Sequence, residues 1–298
     1  MKLLFRRIAC LLLALFFHLP FAASAQPFAP AGQASPALWK VSDQDTTIYI
    51  FGTIHVLPPE IDWFRGTVQR AFDGSQELVT EITGTDPAAM QRLVLSHAML
   101  PPGQSLRGML TPELKTSYEK ELVGFGLPAQ AFDGYEPWYA AVALSTLPLI
   151  RSGYAGENGV EQVLDQRAKA LGHPHSALET AEYQIGLFDS LPAEAQKRYF
   201  AEVVGKLPTV AGQFDRIIDA WRKGDAESLA SLMNDDEDDP ELIGVLLINR
   251  NRAWAEWVRQ RLAKPGTVFV AVGAGHLAGP GSLQEQLAAQ GIAAERVQ

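Results

Sequence analysis

The 298-residue sequence contains a single cysteine, Cys10, which lies within the first apolar run of the chain. A basic start precedes that run and Ala23-Ser24-Ala25 follows it, which is the pattern of a cleavable signal peptide over residues 1–25. Once it is cleaved no cysteine remains, so disulfides, thiolate catalysis and cysteine metal ligands are excluded. The sequence therefore predicts a periplasmic or secreted protein.

Positive charge and long apolar runs are also scarce. The chain has 25 Lys and Arg residues against 34 Asp and Glu residues, and a formal net charge of −9. An acidic surface disfavours nucleic acid as a partner. Beyond the signal segment no uncharged run reaches the roughly 20 apolar residues that span a bilayer, so no stable membrane span is expected after cleavage. The densest acidic run, 235–239, is interpreted as a solvated loop.

Several catalytic motifs are missing as well. The sequence has no His-Glu-x-x-His helix of a zincin and no Gly-x-Ser-x-Gly elbow of an α/β-hydrolase. It also lacks the Walker loop and the Gly-x-Gly-x-x-Gly loop that bind phosphate groups.

The two ends of the chain have matching patterns. A Pro/Ala/Gly-rich linker over 26–36 precedes a predicted single domain over 37–298. The β-rich runs 47–51 and 267–272 each lead into a Gly-x-x-His turn, followed by a helix and a further strand. The predicted fold class is α/β, with a central sheet formed by N- and C-terminal strand–turn–helix–strand units and a large helical insertion at about 87–262.

These turns place two histidines, His55 and His276, at the carboxyl ends of strands, where α/β sheets bind ligands. Glu81 and Glu179 end two other β-like runs and are expected at the same edge. Histidines with carboxylates suit a Mn, Co, Zn or Fe site, in which an open position would activate water. From the pattern alone, a pair of structural histidines is an equally good interpretation.

Six segments resemble the TraB/GumN family in their order and spacing, from about residue 37 to the C-terminus. They are FGTIHVLP (51–58), ELVTEI (77–82), GVEQVLDQRAKALG (159–172), ALETAEYQ (177–184), RNRAWAEWV (250–258) and VAVGAGHLAGPGSL (270–283). The resemblance implies an α/β fold shared with Tiki-type metalloproteases, erythromycin-esterase-like enzymes and ChaN-like haem-binding proteins.

The resemblance also implies roles for particular residues. It makes His55, Glu81 and His276 metal ligands, with Glu81 alternatively the general base. The matching motifs bring in Glu161, Glu179, Arg250 and Asn251 as further site residues. Arg250 could stabilise an oxyanion or hold a substrate carboxylate. Glu161 and Glu179 have structural alternatives, because both lie where a helix begins and an acidic residue is favoured there.

The function predicted is an exported metal-dependent hydrolase, in particular a peptidase, that acts on a peptide or a small-molecule substrate. One alternative is a non-catalytic protein that binds haem or another ligand through the same histidines. A second alternative, suggested by the name GumN, is an accessory factor in exopolysaccharide production. The pattern specifies no oligomeric state.

Overall fold

The computed structural model describes residues 33–84, 86–234 and 240–298. The predicted signal peptide, the predicted linker up to residue 32 and the acidic run 235–239 lie outside the described residues. The last four linker residues contact the rest of the chain. The backbone N–H of Ala34 donates to Asp62 O at 3.2 Å, and that of Ser35 donates to Arg222 O at 2.7 Å.

Six strands form one mixed sheet in the order β4-β3-β5-β2-β1-β6. Strands β4, β3, β5 and β2 run parallel to one another, whereas β1 is antiparallel to β2 and to β6. The carboxyl ends of four strands therefore meet at one edge. The strands are β1 Leu38–Ser42, β2 Thr46–Thr53, β3 Glu77–Thr80, β4 His175–Ala177, β5 Gly266–Gly273 and β6 Glu295–Arg296.

The sheet and its helices confirm the predicted α/β class. Strands β2 and β3 of the N-terminal strand–helix–strand unit are not adjacent in the sheet, because the C-terminal strand β5 lies between them. The helices are α1 Gly66–Asp73, α2 Pro87–Ala98, α3 Pro112–Gly124, α4 Pro137–Arg151, α5 Val160–Leu171, α6 Ala181–Asp189, α7 Ala193–Lys206, α8 Val210–Arg222, α9 Ala226–Asn234, α10 Pro240–Ile243, α11 Asn249–Leu262 and α12 Leu283–Ala289. The helical insertion contributes β4, which pairs with β3 as an edge strand.

Alternating residues of the central strands enter two different cores, as the period of two along a strand requires. Ile50 and Val270 pack with Trp254 and Leu287 from α11 and α12 on one face. Phe51 and the other alternate residues pack on the opposite face against α1 and the helical insertion. Burial on both faces explains the uninterrupted apolar run of β5.

The helices differ from the sequence pattern in three places. The apolar spacing over 60–73 predicts one helix, but the helix begins only at Gly66, whose φ of +57° is a left-handed conformation. The sequence pattern over 240–262 predicts one helix, but a π-helical turn at Gly244–Ile248 separates α10 from α11. Helix α9 was not indicated by the pattern. Among the described residues, no helix has the length and apolar character needed to cross a membrane.

Candidate functional site

The strand ends bring the predicted site residues to one edge of the sheet. His55 follows β2, Glu81 follows β3, and His276 lies in the 3-10 turn Ala274–Leu277 after β5. Glu179 follows β4, helix α5 supplies Glu161, and helix α11 supplies Arg250 and Asn251. The set is His55, Glu81, Glu161, Glu179, Arg250, Asn251 and His276.

His55 and Glu161 form a hydrogen-bonded dyad. The Nδ1 atom of His55 lies 2.6 Å from Oε1 of Glu161, and the hydroxyl of Thr53 donates to the same oxygen at 2.5 Å. Because a carboxylate oxygen only accepts, Nδ1 carries the proton in this contact. The other ring nitrogen, Nε2, is buried and has no hydrogen-bond partner among the described residues. In neutral His55 this atom is an unused base.

The charges around the dyad alter both pKa values. Burial lowers the pKa of His55, but the charge and hydrogen bond of Glu161, helped by the charge of Glu81, raise it above its ordinary 6.5 against the opposing effect of Arg250. For Glu161, burial raises the pKa, but the charge and hydrogen bond of His55 and the bond from Thr53 outweigh burial and lower it below 4.5. The dyad therefore favours an ionised carboxylate and a basic imidazole.

Arg250 lies beside the dyad, and each of its five N–H groups has a partner. Nε donates to Glu179 at 2.9 Å, and Nη2 donates to Glu81 at 2.5 Å and to Glu179 at 2.7 Å. Nη1 contacts Leu246 O at 3.2 Å and His276 Nε2 at 3.1 Å. A guanidinium has five donors in total, so Arg250 has none left for an oxyanion or a substrate carboxylate in this arrangement.

Two carboxylates share this guanidinium and are held by further donors. Oε1 of Glu81 accepts from the backbone N–H of Gly273 at 2.7 Å. The amide of Gln184 bridges the pair, with 3.0 Å to Glu81 Oε2 and 2.9 Å to Glu179 Oε2. The indole N–H of Trp254 donates to Glu179 Oε1 at 3.0 Å. We call Glu81, Glu179, Gln184, Arg250 and His276 the Arg250 cluster.

The tautomer of His276 follows from its neighbours. The amide nitrogen of Asn251 donates to Gly281 O at 2.7 Å, which turns its oxygen toward Nδ1 of His276 at 2.5 Å. Nδ1 therefore carries the proton, and Nε2 accepts from Arg250. The ring is fully buried, with its centroid 4.3 Å from that of Trp254. His276 is a neutral acceptor in this network.

These contacts test how well the residues fit the expected metal. Of the three predicted ligands, only His55 has an open ligand atom. Nε2 of His276 and Oε2 of Glu81 are occupied by Arg250, and Oε1 of Glu81 by the N–H of Gly273. Among the described residues, no three His, Cys, Asp or Glu side chains form a group that could hold a metal ion. The donor set therefore does not fit a divalent metal as it stands.

The sequence also allowed Glu161 and Glu179 a purely structural role at the start of a helix. Glu161 does lie in the first turn of α5, but its carboxylate is bonded to His55 and Thr53. Glu179 is not the cap of α6, because the hydroxyl of Thr180 accepts from the backbone N–H of that helix's first turn. Both carboxylates therefore belong to the site.

The other described histidines lie outside this arrangement. His97 Nδ1 contacts Asp189 at 2.7 Å on the helical insertion, and His175 contacts Asp165 at 3.0 Å beside β4. A small apolar cavity lies near Trp39, Trp221 and Leu277. Neither His55 nor His276 lines that cavity, so it offers haem no histidine ligand.

Three residues of the site were not among those predicted from the sequence. Gln184 ends the quoted segment ALETAEYQ, and Thr53 lies within the first Gly-x-x-His turn. Trp254 follows Arg250 by four residues, a spacing that places both side chains on one helix face. Their positions were visible, but nothing in the pattern showed their partners.

Comparison with known proteins adds a family to this geometry. The sequence model of the TraB/PrgY/gumN family matches residues 37–296. Uncharacterized protein YbaP of Escherichia coli (strain K12) is 28% identical over 195 residues, which is 64% of this chain and 70% of the relative. An uncharacterized protein of Treponema pallidum (strain Nichols) is 23% identical over 269 residues, 82% of this chain and 78% of the relative. No solved structure matches the chain.

Proposed function

The chain belongs to the TraB/PrgY/gumN family, and from this premise and the geometry of its site we propose that it is an exported hydrolase in which His55 is the general base. The single observation that carries the proposal is the state of the two ring nitrogens of His55. One is bonded to a carboxylate, and the other is buried without a partner. A buried nitrogen without a hydrogen-bond partner costs free energy, so this arrangement is unfavourable for a histidine with a purely structural role.

The dyad has the parts that general base catalysis needs. The carboxylate of Glu161 holds Nδ1 protonated, so the lone pair of a neutral ring is at Nε2. In the proposed step a water oxygen bonds to the substrate's electrophilic carbon, and one water proton moves to Nε2. The leaving group then takes that proton from Nε2 and departs, which returns His55 to its neutral form. Glu161 stabilises the imidazolium in between.

The Arg250 cluster adjusts this base. Its two carboxylates and one guanidinium carry a formal excess of one negative charge, and the charges of Glu81 and Arg250 act on His55. Within the cluster, the charge of Glu81 raises the pKa of His55 and the smaller effect of Arg250 lowers it, so Glu81 makes the base stronger. A general base works best when its pKa lies near the working pH. Glu81 and Arg250 are positioning residues in this scheme.

Peptides are the first substrate class to test, because the resemblance to Tiki-type metalloproteases implied peptide cleavage. The mature chain is incubated with a mixed peptide library and a panel of chromogenic esters, with and without a chelator. We expect hydrolysis that His55→Ala abolishes and Glu161→Gln reduces. His97→Ala and Asp189→Asn are matched controls, since they break another histidine–carboxylate contact outside the site.

Three outcomes separate the alternatives. Equal activity in His55→Ala and the wild type contradicts the proposal. Hydrolysis that a chelator removes and a divalent metal restores supports the metal-dependent enzyme expected from the resemblance. A Soret band in the purified protein that His55→Ala removes supports haem binding instead.

Export is part of the proposal because of the pattern over residues 1–25. Expression of the full chain in a Gram-negative host should give a periplasmic protein whose first residue is Gln26. Mass measurement of the intact protein checks this. An uncleaved chain in the cytosolic fraction contradicts export and leaves the proposed chemistry unaffected.

A further inference from the structure

We propose that the guanidinium of Arg250 is the resident cation of this site and occupies the place that a divalent metal would need. Glu81, Glu179 and His276 then bind an internal cation in place of a metal ion. The inference concerns binding only, so hydrolysis by His55 can succeed or fail independently of it.

The first argument is geometric. Three side chains of the metal-ligand type converge on one guanidinium. Nη2 of Arg250 lies 2.5 Å from Glu81 and 2.7 Å from Glu179, and Nη1 lies 3.1 Å from Nε2 of His276. Two carboxylates and an imidazole are a common donor set for Zn²⁺, Mn²⁺ or Fe²⁺. Here the space among them is filled.

The second argument is that the donors are held by groups other than Arg250. Glu81 accepts from the N–H of Gly273, and Gln184 bridges Glu81 to Glu179. Asn251 orients the ring of His276. Bonds of this kind orient metal ligands in metalloproteins. Shortening Arg250 should therefore leave a vacant and largely preformed donor set.

The third argument is electrostatic. The guanidinium is buried, and although burial lowers its pKa, the charges and hydrogen bonds of Glu81 and Glu179 raise that pKa above its ordinary value. Arg250 therefore stays charged at any working pH. A divalent ion at hydrogen-bonding distance from a buried positive charge would be strongly repelled. The guanidinium and a divalent metal ion therefore cannot occupy this place together.

The test compares metal binding by the wild type, Arg250→Ala and Arg107→Ala. Arg107 also bridges two carboxylates, Asp133 and Glu119, but in a half-exposed setting. Zn²⁺ and Mn²⁺ are titrated into each protein by calorimetry, and bound metal is counted after gel filtration. We expect about one tightly bound ion per chain in Arg250→Ala alone. Adding His276→Ala or Glu81→Gln to that variant should weaken its binding at least about tenfold.

A second measurement begins with the folded wild type. Nitrogen-15 NMR of its histidines reports the protonation of each ring nitrogen. We expect Nδ1 of His276 to be protonated and its Nε2 signal to stay unchanged when Zn²⁺ is added. A shift of that Nε2 signal on addition of Zn²⁺, or one wild-type metal ion that His276→Ala releases, overturns the inference. A folded Arg250→Ala that binds no metal overturns it too.

Discussion

Nδ1 of His55 lies 2.6 Å from Oε1 of Glu161, although one residue follows a strand near the N-terminus and the other lies in the first turn of α5. The contact makes Nε2 the free nitrogen of the ring. It also joins two groups whose pKa values move in opposite directions, so the pair has a defined window of pH in which it stabilises the fold.

The first prediction concerns that window. The raised pKa of His55 contributes stability that is fully present below 6.5 and is lost as the pH rises through the folded-state pKa. The lowered pKa of Glu161 contributes stability that is present above 4.5 and is lost as the pH falls through its folded-state pKa. The free energy of unfolding that Glu161→Gln removes should therefore be largest between 4.5 and 6.5.

Two measurements check this prediction. Urea unfolding as a function of pH gives the stability difference, and NMR gives the titration midpoint of His55. The midpoint should lie above 6.5 in the wild type and fall in Glu161→Gln. Asp189→Asn serves as the control and should leave the His55 midpoint in place. A stability difference that does not vary with pH would contradict the ion-pair account.

A second prediction applies to the rate of hydrolysis. A general base acts in its neutral form, so kcat/KM should rise with pH along a limb whose midpoint lies above 6.5. Removing the charge of Glu161 should move that limb to lower pH and slow the reaction roughly 10²- to 10⁴-fold. The pH profiles of the wild type, Glu161→Gln and Asp189→Asn decide the matter. An unmoved limb in Glu161→Gln would place the essential base elsewhere.

The third prediction compares two arginines that each bridge two carboxylates. The side chain of Arg250 is 4% exposed, whereas that of Arg107 is 21% exposed. Arg250→Met leaves Glu81 and Glu179 buried without their cation, which should cost roughly 3–5 kcal/mol. Arg107→Met should cost less, because water reaches Asp133 and Glu119. Unfolding in urea measures both losses, and equal losses would show that burial does not govern them.

The main features of the fold could be predicted from the sequence because they depend on local patterns. The apolar run of β5 identifies a strand buried on both faces, and the β-rich run over 47–51 identifies β2. The Gly-x-x-His turns after them placed His55 and His276 at the correct edge of the sheet. The π-helical turn at Gly244–Ile248 could not be predicted, because a run of apolar residues has no feature that distinguishes hydrogen bonds between residues five apart from those between residues four apart.

The chemistry of the site was only partly predictable, because residue types do not show which atoms are already bonded. His276 has the side chain of a metal ligand, but its Nε2 accepts from Arg250. Arg250 has the side chain of an oxyanion donor, but its donors are used within the protein. Gln184 could not be assigned a role, because bridging two carboxylates from α6 depends on how that helix packs against the sheet.

The fourth prediction uses Gln184. Gln184→Glu replaces the amide between Glu81 and Glu179 with a third carboxylate. The introduced group must stay protonated to remain there, so its folded-state pKa should be raised. The stability loss should then begin near pH 4.3 and grow by about 1.4 kcal/mol per pH unit above it.

Urea unfolding between pH 4 and 8 measures this slope. Gln260→Glu is the matched control, since Gln260 also donates to a carboxylate, Glu256, but on the exposed face of α11. The control should show little dependence on pH. A flat profile for Gln184→Glu would mean that the two carboxylates separate easily and that Gln184 does not hold them.

The fifth prediction concerns the approach of α5 to the turn that carries His55. A Cβ atom on Gly159 would overlap the carbonyl oxygen of His55 and lie 2.8 Å from its carbonyl carbon. The next residue donates its backbone N–H to Ile54 O at 3.0 Å, so the two segments cannot move apart freely. Gly159→Ala should therefore cost about 1–3 kcal/mol and displace His55 from Glu161.

Thermal or urea unfolding and the NMR titration of His55 report these two effects separately. Gly212→Ala is the control, because a Cβ on that exposed glycine of α8 meets no atom within 4 Å. It should leave His55 unchanged and stabilise the protein by about 0.5–1 kcal/mol, since alanine favours a helix over glycine. If Gly159→Ala kept both its stability and the raised pKa of His55, the dyad would tolerate movement of α5, and the close contact at Gly159 would not be what positions it.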